Sequence, residues 1–180
     1  ASMKPAAPDF LLMWDNAYCI HEFDGDFVPF ADILSECEKY GNADMVFEFA
    51  STSKVTLPGA GISCFACSEA NMEYMCKLIG IQAISFDKMN QLRHVKFLQN
   101  KEHTLALMKE HAKILKPKFE MVVSTLEREI APLGIATWHK PKGGYFVSVN
   151  TAPGLAKRTL ALAKEAGVVM TSAGATYPYG

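Results

Sequence analysis

Ser51-Thr52-Ser53-Lys54-Val55-Thr56-Leu57-Pro58-Gly59 follows Met45–Ala50 (MVFEFA), a mostly apolar run that reads as a buried strand. A lysine thus stands just past a strand end, inside a hydroxyl-rich turn that closes at Pro58-Gly59. Open α/β sheets place their ligands beyond the carboxyl ends of strands. An amine partly withdrawn from water there has a lowered pKa and can form a Schiff base with an aldehyde. The hydroxyls of Ser51, Thr52 and Ser53 can donate hydrogen bonds to a phosphate. Alone, the same pattern also describes an ordinary surface lysine in a polar turn.

Working outward, Phe10–Trp14 (FLLMW) is a second apolar run, ending at Asp15-Asn16-Ala17-Tyr18. A carboxylate at that strand end, in apolar surroundings, can hold the ring nitrogen of a pyridine cofactor protonated, so that the ring acts as an electron sink. A tyrosine three residues later can reach a phenolic oxygen on the same ring. Separately, Asp15 reads as a turn residue and Tyr18 as a rim aromatic. Strand-Asp-x-x-Tyr followed by strand-Ser-x-Ser-Lys is a far more specific combination.

The rest of the chain alternates strands and helices. Pro29–Tyr40 reads as a helix with Pro29 in its first turn, an apolar face of Phe30, Ile33, Leu34 and Cys37, and Gly41 as its stop. Ile62–Ala66 reads as a strand and the segment from Glu69 to about Leu78 as a helix. This alternation predicts an α/β layer structure with a mostly parallel sheet. Leu105, Met108, Ala112, Leu115, Phe119, Val122 and Leu126 make one stripe on a long helix, which Pro117 is expected to kink or break and Pro132-Leu133-Gly134 to end. A helix packed on its own protein is preferred to a coiled coil, because few charges flank the stripe. Beyond it, Ile135–Trp138, Tyr145–Val149 and Val168–Thr171 read as strands and Leu155–Ala166 as a helix closed by Gly167, a smaller α+β unit.

The chain has 180 residues, 49% of them apolar and 21% charged, with a formal net charge of -1. These values suit a soluble globular protein and argue against nucleic-acid or anionic-membrane partners. No apolar run is long enough to span a bilayer. Five cysteines, without a disulfide framework, point to a reducing, cytoplasmic compartment. Cys64-Phe65-Ala66-Cys67 has no second pair at zinc spacing, and on a strand its sulfurs face opposite sides, so no metal site is expected. Gly59-Ala60-Gly61 lacks the third glycine of a dinucleotide loop. Asp24-Gly25-Asp26 lacks the remaining ligands of a calcium loop and reads as a turn. The five histidines are scattered.

Asp15-Asn16-Ala17-Tyr18 and Ser51-Thr52-Ser53-Lys54 with Pro58-Gly59 resemble the cofactor-binding motifs of fold-type I pyridoxal-phosphate (PLP) enzymes, the class I/II aminotransferases. Lys140-Pro141-Lys142-Gly143-Gly144-Tyr145-Phe146 resembles the strand entry of their small domain, and the long helix resembles their interdomain linker. The resemblance implies the PLP-dependent transferase fold. Residues 1–98 would be the second half of the PLP-binding large domain, and 99–180 the interdomain helix and an incomplete small domain. It implies Lys54 as the Schiff-base lysine and proton shuttle, Asp15 against the pyridine nitrogen, Tyr18 against the phenolic oxygen, and Ser51, with Ser53, at the phosphate. The implied activity moves an amino group between an amino acid, aspartate by subgroup resemblance, and a 2-oxo acid, in a homodimer. A PLP lyase on the same scaffold, a non-catalytic effector module of a transcription regulator and a remnant without cofactor are the alternatives.

Two departures accompany the resemblance. Glycine occupies position 61, where the family usually has a phosphate-binding arginine. The family's glycine-rich phosphate turn, ring-stacking aromatic and substrate-carboxylate arginine have no counterpart in these residues, so the chain is expected to be part of a longer one.

Overall fold

The computed structural model describes residues 1–25, 27, 29–172 and 174–175. Two compact units are present, residues 1–112 and 113–180. In the first, β1 (Leu12–Asp15), β2 (Val46–Ser51) and β3 (Ser63–Cys67) form one sheet in the order β1-β2-β3. β1 and β2 are parallel, with Leu12 opposite Val46 and Asp15 opposite Phe49. Their connection carries α1 (Ile33–Lys39), which supplies the crossover that parallel pairing needs. β2 and β3 are antiparallel, with Ser51 opposite Ser63. No helix lies between them, so the chain turns straight back. The sheet is therefore mixed, not mostly parallel as the strand–helix alternation suggested.

Side-chain alternation gives the sheet two distinct faces. Leu12, Trp14 and Val46 point toward Ile33, Leu34 and Cys37 of α1 and toward Met45, forming a small core in which Cys37 and Val46 are fully buried. The opposite face carries Phe47, Phe49 and Phe65, whose ring centroids lie 6.2–6.5 Å apart.

Helix starts follow capping chemistry more closely than proline placement. α1 begins at Ile33, because the Asp32 carboxylate accepts the Ser35 N–H at 3.0 Å. Pro29 lies before that cap, not in the first turn. Gly41, at φ 71°, follows the helix end as expected. α2 (Glu69–Gln82) is capped by Ser68, and α3 (Lys88–Leu98) by Asp87, which accepts the Asn90 N–H at 2.9 Å. In the Asp24-Gly25-Asp26 segment, Gly25 has φ 76°, as a turn requires, and Asp26 is outside the described residues.

α4 (Lys101–Thr125) runs through Pro117 without a break, then passes through a π-turn at Leu126–Ile130 and a 3-10 turn at Ala131–Leu133. Gly134, at φ 64°, closes this path. Within the second unit, β4 (Ala136–Trp138) pairs antiparallel with β5 (Val149–Thr151), and α5 (Ala156–Glu165) follows. The second strand lies later than Tyr145–Val149. β4 is three residues long and its register selects 149–151, which leaves 145–148 outside the ladder. Val168–Thr171 forms no strand among the described residues, because no neighbouring strand pairs with it. The closing Tyr177-Pro178-Tyr179-Gly180 is outside the described residues.

Candidate active site

Because β1 and β2 are parallel, Asp15 and Ser51 end their strands at the same edge of the sheet. The ladder continues one step further, with the Asn16 N–H donating to the Phe49 carbonyl at 2.8 Å. The Ala17 N–H donates to Asp15 Oδ1 at 3.1 Å, a short local turn that fixes the direction of the carboxylate. Asp15 is therefore a turn residue as well as a charge placed at a strand end. It is exposed in this chain, not enclosed by apolar groups. Asp15 and Ser51 line one cavity of about 900 Å3, with Phe49, Ser63, Phe65 and Met72; Lys54, Tyr18 and Ser53 are not in its wall.

The Lys54 turn is held largely by its own hydroxyls. Ser51 Oγ accepts the Ser53 N–H at 3.0 Å and lies 2.7 Å from Ser53 Oγ. The two hydroxyls carry two protons and use one between them, which leaves one to offer an outside acceptor. The Thr52 carbonyl accepts from the Val55 and Thr56 N–H groups at 2.9 and 2.8 Å. Thr52 is also bound twice to Ile62: its N–H donates to the Ile62 carbonyl, and its Oγ1 accepts the Ile62 N–H, each at 2.9 Å. Val55 is buried while its neighbour Lys54 is exposed, so the turn is anchored by one residue and presents the next.

Two residues outside the motifs hold this turn. Among the described residues, the buried polar side chains are His21 and His94, at 4% and 7% exposure. His21 Nε2 donates to the Lys54 carbonyl at 3.2 Å, and its ring meets Tyr18 edge-on at 5.4 Å. Tyr18 is thereby connected to the lysine turn through His21. Burial pushes the His21 pKa below the ordinary histidine value, against the opposing pull of the Lys54 and Tyr18 backbone. His94 Nε2 lies 2.9 Å from Thr52 Oγ1 and 3.1 Å from Thr56 Oγ1. Sequence reading missed both as structural partners of Lys54. His21 offered only its nearness to Tyr18, and His94, on α3, offered no local signal.

The glycine at position 61 has a geometric cause. A Cβ placed there would stand 2.9 Å from Ser53 Oγ, 3.0 Å from Ser53 N and 3.1 Å from Ser53 Cα. Any side chain, arginine included, must first push back the backbone one residue before Lys54. Gly61→Ala in the complete protein is expected to cost about 1–3 kcal/mol of stability, the usual range for overpacking. Chemical denaturation would measure it. An unchanged midpoint would mean that the close approach to Ser53 relaxes freely.

The family model for aspartate amino-transferase matches residues 1–180. The chain belongs to this family. A protein of Mycolicibacterium smegmatis that carries an aminotransferase name is 45% identical over 177 residues, covering 98% of this chain and 41% of that protein. The aspartate aminotransferase of Corynebacterium glutamicum is 43% identical over 178 residues, covering 99% of this chain and 41% of the relative. The crystal structure of an aspartate transaminase from C. glutamicum superposes with a TM-score of 0.92 at 43% identity, over 99% of this chain and 42% of that one. LysN, the α-aminoadipate aminotransferase of Thermus thermophilus, solved with N-(5'-phosphopyridoxyl)-L-leucine, has a TM-score of 0.67 at 19% identity, over 88% of this chain and 39% of its own. That distant likeness shows the fold alone. The family and the aminotransferase fold expected from the two motifs are thus established, and the chain spans about two fifths of the relatives' length.

Proposed function

We propose that the complete protein is a PLP-dependent aminotransferase, exchanging an amino group between an amino acid, aspartate first among the candidates, and a 2-oxo acid. The observation that carries this reading is the shared sheet edge. Parallel pairing of β1 and β2 puts the Asp15 carboxylate and the Ser51–Lys54 turn at one end of the sheet, where ligands of such sheets bind. The donor set fits the cofactor: a carboxylate for the pyridine nitrogen, a phenol for the ring oxygen, paired hydroxyls for the phosphate, and a presented amine for the aldehyde. Asp15, Tyr18, Ser51 with Ser53, and Lys54 take these roles in turn. The aminotransferase names of the 45% and 43% identical relatives favour this activity over a lyase or a regulator's effector module.

When bound, the cofactor supplies an electron sink for charge developing at the substrate Cα. Asp15 holds the proton on its ring nitrogen, and its own bond from the Ala17 N–H keeps the carboxylate directed. Ser51 and Ser53 turn a hydroxyl outward to the phosphate. Lys54 would hold the cofactor at its aldehyde and, once the substrate amine had displaced it, would move the proton at the substrate Cα. Lys54, Asp15 and Tyr18 are exposed in this chain, and the remaining part of the enzyme is proposed to cover them and to supply the carboxylate clamp. Residues 1–98 are proposed to belong to its large domain and 99–180 to the interdomain helix and small domain. The whole is proposed to act as a cytoplasmic homodimer; no helix among the described residues is long and apolar enough to cross a membrane.

Borohydride reduction of the PLP-loaded complete protein, followed by peptide mapping, tests the assignment. The cofactor label is expected on Lys54, and a label on any other lysine would remove Lys54 from this role.

A further inference from the structure

The Lys54 turn is bound from outside the sheet by one helix. Asn90 and His94 stand four residues apart on α3, on one side of the helix. Asn90 Nδ2 donates to the carbonyls of Ala60 and Gly61 at 3.0 and 3.2 Å, which secures the returning limb of the loop. His94 secures the outgoing limb. Its Nδ1 is 2.9 Å from the Asn90 carbonyl, which can only accept, so Nδ1 carries a proton, and in the neutral ring Nε2 is then the acceptor. Thr52 Oγ1 donates to that acceptor at 2.9 Å; its other available acceptor, the Ile62 carbonyl, lies at 3.4 Å. Thr56 Oγ1 lies 3.1 Å from the same nitrogen and 3.1 Å from the Thr52 carbonyl.

We propose that His94 is a positioning residue for Lys54: from α3, one buried imidazole nitrogen holds the hydroxyl of Thr52, two residues before the lysine, and lies against that of Thr56, two residues after it. The inference rests on the reading of Lys54 as the cofactor lysine. His94 touches neither substrate nor cofactor in this role. It fixes where the Lys54 Cα stands, and a misplacement of about 1 Å at a reacting group can cost roughly 100-fold in rate. The hydroxyl bonds inside the turn cannot do this alone, because they relate the turn to itself and to Ile62. His94 and Asn90 relate it to a helix.

The test compares the complete protein with its His94→Leu and His94→Gln variants. Leucine fills space without accepting a hydrogen bond. The glutamine carbonyl can accept near the place of Nε2. In the cofactor-free proteins, amide exchange across Thr52–Thr56 is expected to rise about tenfold in His94→Leu, the equivalent of one lost hydrogen bond, and much less in His94→Gln. In the PLP-loaded proteins, the pH midpoint of the visible absorbance is expected to move in His94→Leu and to return toward wild type in His94→Gln. A role confined to fold stability would lower the unfolding midpoint and leave the absorbance midpoint of the folded protein in place. If His94→Leu does not fold, His94→Phe keeps a flat ring without the acceptor nitrogen, leaves Thr52 bound to Ile62, and is read identically. Unchanged exchange and absorbance, or glutamine behaving no better than leucine, would overturn the proposal. Borohydride mapping on the wild type separates the two levels: a label away from Lys54 overturns the cofactor assignment, whereas a label on Lys54 with unmoved variants overturns only the role of His94.

Discussion

Lys54→Ala in the complete enzyme is expected to lower turnover at saturating PLP by roughly 10²–10⁴-fold, the range for losing a positioned proton-transfer group. The loss has two sources. The side chain no longer binds the cofactor covalently, and no amine remains to move the proton at the substrate Cα. Lys54→Arg separates these roles from simple charge. Arginine keeps a cation on the turn, but its guanidinium does not deprotonate near neutrality and neither bonds to the aldehyde nor takes up a proton. The arginine variant is therefore expected at the alanine level, measured by single-turnover kinetics with an amino acid donor. Activity near wild type in Lys54→Arg would show that a positive charge is all this position contributes. Because Lys54 is exposed and the turn is held through Thr52, Thr56 and Val55, both variants are expected to unfold close to the wild-type midpoint.

Asp15→Ala is expected to slow proton transfer by about 10²–10³-fold, typical for removal of one group that stabilises developing charge. Cofactor occupancy should fall much less, since the proposed phosphate contacts and the proposed covalent link to Lys54 would persist. Asp15 has a second duty here, accepting the Ala17 N–H at 3.1 Å, and alanine removes both. Asp15→Asn distinguishes them. Its amide oxygen can still accept from Ala17, which preserves the turn, but it carries no charge to keep a pyridine nitrogen protonated. The two variants should thus be equally slow in single turnover on cofactor-saturated protein, with asparagine the more stable. A near-normal rate in Asp15→Asn would reduce Asp15 to a turn residue and remove the electronic part of the proposed mechanism.

Much of this site was legible in the chain because its information is local. A strand end, a turn and a cap are written within a few residues, so Asp15 with its Ala17 turn, and Ser51-Thr52-Ser53-Lys54 beyond β2, could be read from order and spacing. The long helix and its end near Gly134 were equally plain from apolar period and punctuation. Errors arose where a partner decides. Tyr145–Val149 has strand character, yet register with β4 selected 149–151, and Val168–Thr171 has no neighbour to pair with among the described residues. The start of α1 moved from Pro29 to Ile33 because a side-chain cap at Asp32 outweighed a permissive backbone.

By itself, then, the sequence pointed to the family, nominated the candidate cofactor residues and gave away the helical and strand character of most segments, because each depends on neighbours along the chain. Tertiary structure alone decided what holds those residues still. Gly61 reads as a missing arginine in one dimension; in three, it is the place where the chain returns against Ser53 and leaves no room for a Cβ. His21 and His94 look like scattered histidines until folding buries both and brings them against the turn of Lys54. A hydrogen bond across 42 residues of chain leaves no trace in local pattern, because the pairing exists only once the sheet edge and α3 have packed together.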